Sequence, residues 1–207
     1  MFYPLYPMLA RGLAAITGLT AANALLLVAN IAGLSAIVAL FKLVREEFDD
    51  QVALATVALL GFFPASVVLS AGYTEPLELL FIVLFFLALR RQRFLWAAMF
   101  AGLAVADRST GILLLPVLVL EMWRARDQEP FFPAVIPCVI LATSGLWLFM
   151  IYLWHAFGDP FIFSKGQTAF HLGATFPVRL MAALKLEPFF GQERGHVALA
   201  RELFDAV

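Results

Sequence analysis

The chain has 207 residues, of which 63% are hydrophobic and 14% charged, with a mean hydropathy of +0.91. Soluble domains run nearer 45–50% apolar and about 25% charged, so this composition describes an integral membrane protein. The net charge of −1 offers no basic surface for nucleic acid, and the single cysteine, Cys138, excludes an internal disulfide and reads as a small packing residue.

The chain opens with MFYPLYPMLARG, which places Pro4, Pro7 and several aromatics before its first cation, Arg11. It lacks the basic start of a cleavable signal. Residues 1–22 read as an interfacial segment that begins outside a helix. Apolar spans follow at about 23–42, 52–70, 76–89, 94–106, 111–123 and 132–154. The expected fold is an all-α, polytopic membrane helical bundle of about six spans. Two of them, 94–106 and 111–123, fall short of the roughly 20 residues that a membrane helix usually needs. Residues 23–154 would hold the transmembrane helices of a single membrane domain covering 1–207. Residues 155–207 would form a loop and a surface helix, with 176–186 amphipathic and carrying Arg179 and Lys185 on its polar side. Both ends look like interior sequence, so a piece of a larger protein or a mis-assigned start is expected.

The connectors alternate in character. LVREEFDDQ, RRQR and RARDQEP hold Arg45, Arg90, Arg91, Arg93, Arg124 and Arg126. The opening segment, SAGYTEP, DRST and the stretch after Trp154 hold mainly Arg11, Arg108 and Lys165. The positive-inside rule puts the first set in the cytoplasm. The polar motifs of the second set then face the extracytoplasmic side.

Three of those motifs could carry chemistry. SAGYTE (70–75) puts Tyr73 and Glu75 at the mouth of a helix pair, with Pro76 suited to a helix start. The plainer alternative is a helix-cap acid and an interface anchor. DRST (107–110) interrupts apolar sequence with Asp107 and Arg108, and ionisable groups at membrane depth usually mark function. The Arg108 fork suits phosphate oxygens, and Ser109 and Thr110 could donate to the same anion at a following helix start. The alternative is an internal Asp107–Arg108 arrangement, or separate pairings that neutralise a helix junction. GDPFIFSKGQ (158–167) offers Asp159, Lys165 and Gln167, either as phosphate and substrate contacts or as an ordinary solvated turn. Asp49-Asp50 reads as a solvated helix-end charge run. His155, His171 and His196 are too widely spread for a metal-ligand spacing, so no metal site is expected. No phosphate-loop, dinucleotide or nucleophile-elbow pattern occurs. No cofactor is evident, and a divalent metal in a full-length parent is left open.

FFPASVVLSAGYTEPLELLF, AGLAVADRSTGILLLP and HAFGDPFIFSKGQ follow one another in an order and spacing that resembles the glycosylphosphatidylinositol mannosyltransferase 2 family and its prokaryotic relatives. FYPLYPMLAR resembles that family's Phe-x-Pro-Leu-x-Pro segment, and the likeness covers most of residues 2–170. The resemblance implies a GT-C glycosyltransferase using a polyprenyl- or dolichyl-phosphate sugar, typically mannose, with a lipid or glycan acceptor. Its motif positions match at Tyr73, Glu75, Arg108, Ser109 and Gly111. The family commonly has Thr-Arg-Ser-Asn-Gly where this chain has Asp107-Arg108-Ser109-Thr110-Gly111. It also carries a Trp-Asp motif upstream of the Phe-x-Pro segment, whose Asp is the usual candidate base. This chain starts after that motif, which weighs against catalysis by this chain alone.

An α-glycoside formed from a β-linked lipid phosphate requires inversion, and inversion needs a carboxylate to take the acceptor proton. Glu75 and Asp107 are the candidate catalytic carboxylates. Tyr73, Arg108, Ser109, Thr110, Asp159, Lys165 and Gln167 are the candidate substrate contacts. The implied location is the cell membrane of a prokaryote or the endoplasmic reticulum of a eukaryote. The rival readings are a non-catalytic membrane subunit or fragment, and a small-solute transporter built on broken helices.

Overall fold

The computed structural model describes residues 3–125 and 131–162. All of these but Ile162 belong to one compact unit, Met1–Phe161. The described residues fold into α-helices and two short 3-10 segments, without a strand. An all-helical fold is therefore what the hydrophobic spans produce.

The opening segment carries a helix, α1 (Leu5–Thr17), that starts just after Pro4. Pro4 has lost its own N–H and supplies the carbonyl that Met8 uses, which suits a helix start. Gly18 ends α1 with φ +70, a conformation in which glycine carries no steric penalty. The Thr20 side chain then caps α2 (Ala21–Glu47) by accepting from the Asn23 N–H.

At 27 residues, α2 is about 40 Å long. It and residues 133–157 are long and apolar enough to cross a membrane. The buried face of α2 is almost all small: Ala24, Ala29, Ala32, Gly33, Ala36 and Ala39. Small residues allow close backbone approach where lipid gives no hydrophobic drive for helix association. α4 (Glu75–Arg90) fits against this face with Leu77, Phe81 and Phe85 buried.

The expected span at 52–70 is not one α-helix. α3 (Asp50–Phe62) stops after 13 residues, and Pro64–Leu69 continues as a 3-10 segment. The cause is Pro64, which disfavours helical backbone in the residue before it; Phe63 is extended at ψ 133. The span at 111–123 begins similarly, with a 3-10 turn (Ser109–Leu113) leading into α6 (Leu114–Arg124).

α5 (Phe94–Asp107) packs between α4 and α7 (Phe131–Phe157). The α5–α7 seam is made of glycines. A Cβ on Gly102 would collide with the Leu141 carbonyl, and one on Gly145 with the Gly102 carbonyl and the Ala106 nitrogen. Later α5 residues meet later α7 residues, so the two helices run parallel.

Ion pairs gather at two opposite ends of the bundle. At one end Arg90 pairs with Glu47 at 3.1 Å, Arg91 with Glu46, and Arg45 with Asp50 at 3.5 Å. These tie α2 to α4 and to the start of α3. The other end holds Glu75, Asp107 and Arg108.

Candidate functional site

α4 begins Glu75-Pro76-Leu77-Glu78. The i, i+3 spacing puts both acids on one face of its first turn. α5 ends at Asp107, and the chain leaves the helix through Arg108, which is extended at φ −149 and ψ 148. Gly111 makes this exit possible. A Cβ there would lie 2.5 Å from Ala104 C and Val105 N, so only glycine lets the 3-10 turn fold back onto the end of α5. The fold-back holds Arg108, Ser109 and Thr110 over the first turn of α4.

The Arg108 Nη1 donates to Glu75 Oε1 at 2.7 Å, and its Nε lies 3.5 Å from Glu78 Oε2. The Thr110 hydroxyl donates to Glu78 Oε1. Glu78 thus uses both oxygens to hold two residues of the next helix junction. Its side chain is 14% exposed, against 37% for Glu75 and 40% for Arg108. Asp107 is 2% exposed, and neither of its oxygens has a hydrogen-bond partner. The second oxygen of Glu75 is also buried and unpartnered. Polar groups in that state are costly and rare in folded proteins. Three carboxylates against one guanidinium leave an excess of negative charge at this end.

Two tyrosines of the opening segment close over the cluster. Tyr3 is buried beside Phe149, with ring centroids 4.9 Å apart, and is hydrogen-bonded to Ser109. Burial pushes its phenol above the usual range, and the Ser109 bond opposes that. The Tyr6 hydroxyl donates to the Leu25 carbonyl at 2.9 Å. Burial, and then the negative charges of Asp107 and Glu75, push its phenol upward too.

The structure brings together Glu75, Asp107, Arg108, Ser109 and Thr110. It differs from the expected anion site in two ways. Ser109 opens a five-residue 3-10 turn rather than an α-helix. The hydroxyls of Ser109 and Thr110 are already engaged, by Tyr3 and Glu78. Of the two plainer alternatives, an internal Asp107–Arg108 arrangement and separate pairings, Arg108 follows the second by pairing with the two glutamates. Tyr73 is 55% exposed on the approach to α4. The Asp159 carboxylate accepts from the Phe161 N–H at 2.9 Å, as in an ordinary Asx turn. Lys165, Gln167 and the expected surface helix at 176–186 lie outside the described residues. Glu78, Tyr3 and Tyr6 were not singled out from the sequence. The Glu-x-x-Glu spacing could have found Glu78; nothing local marks the tyrosines. Among the described residues no group of His, Cys, Asp and Glu is arranged to hold a metal ion.

Residues 4–155 match the family described as dolichyl-phosphate-mannose-protein mannosyltransferase. The chain belongs to this family. The match runs from Pro4 through the whole acid–arginine cluster. Among curated relatives, the GPI mannosyltransferase 2 proteins of two strains of Cryptococcus neoformans var. neoformans serotype D, JEC21 and B-3501A, are each 40% identical over 88 residues. That stretch is 42% of this chain and 20% of each relative, so the chain spans about a fifth of their length. No solved structure matches.

Proposed function

We propose that this chain is part of a membrane mannosyltransferase that moves a sugar from a polyprenyl- or dolichyl-phosphate donor to a lipid or glycan acceptor at the extracytoplasmic face. The observation that carries the reading is the convergence of Glu75, Glu78, Asp107 and Arg108 at one end of the helix bundle, in a chain of a mannosyltransferase family. The reading includes six membrane passes, with the short helices α5 and α6 meeting at the cluster. The arginine-rich connectors then lie in the cytoplasm.

The chemistry follows from what inversion requires. The acceptor hydroxyl attacks the anomeric carbon while the bond to the lipid phosphate breaks and its electron pair leaves with the phosphate oxygen. A carboxylate receives the acceptor proton. Asp107 is the assigned base, because its oxygens are already stripped of water and of partners. Arg108 is assigned to the departing phosphate, leaving Glu75 and Glu78 to hold it in place until the donor arrives. A cation fixed where negative charge develops lowers the barrier without reorganising at the moment of reaction.

The test is transfer of radiolabelled mannose from a polyprenyl-phosphate donor, in membranes expressing the full-length protein that contains this segment. Cysteine labelling at Thr74 and Thr168 in the same membranes reads the face. Mannose transfer with labelling from the extracytoplasmic side is expected. Absence of transfer from folded protein overturns the enzymatic reading and favours a non-catalytic subunit. Labelling at Thr74 only from the cytoplasm overturns the sidedness.

A further inference from the structure

A groove of about 490 Å³ runs between α2 and α4 from the middle of the bundle toward the arginine-rich end. Its walls are Leu34 and Val38 on one helix and Leu80, Leu84 and Leu87 on the other, and Lys42 closes its end. Leu34 is 67% exposed and Val38 48%, so the described residues leave its apolar floor open.

Among the described residues, Lys42 and Arg93 stand outside the ion pairs at this end, and of the two only Lys42 borders the groove. At this end of the bundle Arg45, Arg90, Arg91 and Arg124 each pair with a carboxylate. Every acid within reach on α2 is taken in that way: Glu46 by Arg91 and Glu47 by Arg90. Lys42 is exposed and, among the described residues, stands in no such pair. Its depth also matters. Leu34 is the midpoint of the 27-residue α2, and Lys42 lies eight residues further on, about 12 Å along the axis. The half-thickness of a bilayer's hydrocarbon core is about 15 Å. The groove therefore extends from mid-membrane to the level at which lipid phosphates begin, and a lysine side chain reaches across the remaining gap.

We propose that this groove is a binding site for an anionic glycerophospholipid of the leaflet on the arginine-rich side. One acyl chain lies along Leu34, Val38 and Leu84, and the phosphate sits on the Lys42 ammonium. Charge complementarity selects this occupant over a further helix, which would need to bring its own acid to Lys42. Basic residues next to the membrane attract anionic lipid in this manner. The site is separate from the proposed catalytic end and does not depend on that reading.

The experiment is native mass spectrometry of the full-length protein released from nanodiscs of equal phosphatidylcholine and phosphatidylglycerol. Retention of phosphatidylglycerol over phosphatidylcholine is expected, with the preference falling about five-fold in Lys42→Gln and surviving in Lys42→Arg. Leu84→Trp, which fills the groove, should remove the retained lipid. Both positions face the groove, so melting temperatures should stay near wild type and separate lipid loss from misfolding. Inorganic phosphate should not displace the lipid, because the acyl chain supplies half of the recognition. Equal retention of the two lipids, or an undiminished preference in Lys42→Gln, overturns the proposal. So does a cross-link from Val38→Cys to another protein segment, which would show a helix in the groove.

Discussion

The two ends of this bundle use the same materials differently. Each joins neighbouring elements through Glu–Arg pairs. At the arginine-rich end the pairing is one to one: Arg90 with Glu47, Arg91 with Glu46, Arg45 with Asp50. These side chains are 34–78% exposed, where water already solvates them and pairing adds little. At the other end one guanidinium answers two glutamates, and a third carboxylate sits 2% exposed without a partner. The first arrangement is neutral and could be removed quietly. The second keeps an excess of acid, with Asp107 buried and unpartnered, which folding alone gives no reason to retain.

The largest expected effect breaks the unbalanced end at its unpaired member. Asp107→Asn should lower mannose transfer by about 10²–10⁴-fold, the range for removing a general base. Its folded yield should hold or rise, because a neutral group of the same shape replaces a buried carboxylate that has no hydrogen-bond partner. Transfer at the wild-type level from Asp107→Asn protein would remove Asp107 from the mechanism.

The arginine comes next. Arg108→Ala should reduce transfer by about ten- to a hundred-fold, the equivalent of one charge-assisted contact. It also leaves Glu75 and Glu78 facing each other without a cation, so detergent-solubilised yield should fall as well. Arg108→Lys should restore most of the yield but only part of the transfer, since a point charge cannot reach Glu75 and Glu78 in the forked manner. Equal rescue of both quantities would mean that the fork is irrelevant.

A third change tests the scaffold. Gly111→Ala puts a methyl group 2.5 Å from the backbone of Ala104 and Val105, atoms that cannot swing aside. Overpacking of this kind costs about 1–3 kcal/mol, so a lower melting temperature and displaced Arg108 are expected. The smallest effect belongs to the balanced end. Glu46→Gln with Arg91→Gln should leave transfer unchanged and melting nearly so. A large loss of transfer there would erase the contrast between the two ends.

Much of this was legible in the sequence. Apolar runs located α2, α4, α5 and α7, because a bilayer demands long uninterrupted stretches, and DRST stood out because charge is expensive within them. Glu75 and Arg108 were both singled out, and Arg108 Nη1 lies 2.7 Å from Glu75 Oε1. The break after Phe62 was missed, since hydrophobicity is blind to the backbone restriction that Pro64 imposes. Glu78 was missed because only the fold-back at Gly111 brings Thr110 and Arg108 to it. Tyr3 and Tyr6 reach the cluster through tertiary packing, Tyr3 to Ser109 and Tyr6 toward Glu75 and Asp107, far along the chain, and no local pattern carries that.

The glycine seam between α5 and α7 has a mechanical consequence. With Gly102 and Gly145 set against backbone atoms, only small side chains, Ser144 and Ala106, stand between these two helices there. Asp107 rides at the end of α5, just beyond this seam. On the proposed reading, an opening that admits a substrate comes from the elements across from it, α1 with its tyrosines or the first turn of α4. The acid is then an anvil, to which other parts are brought while α5 stays seated on α7.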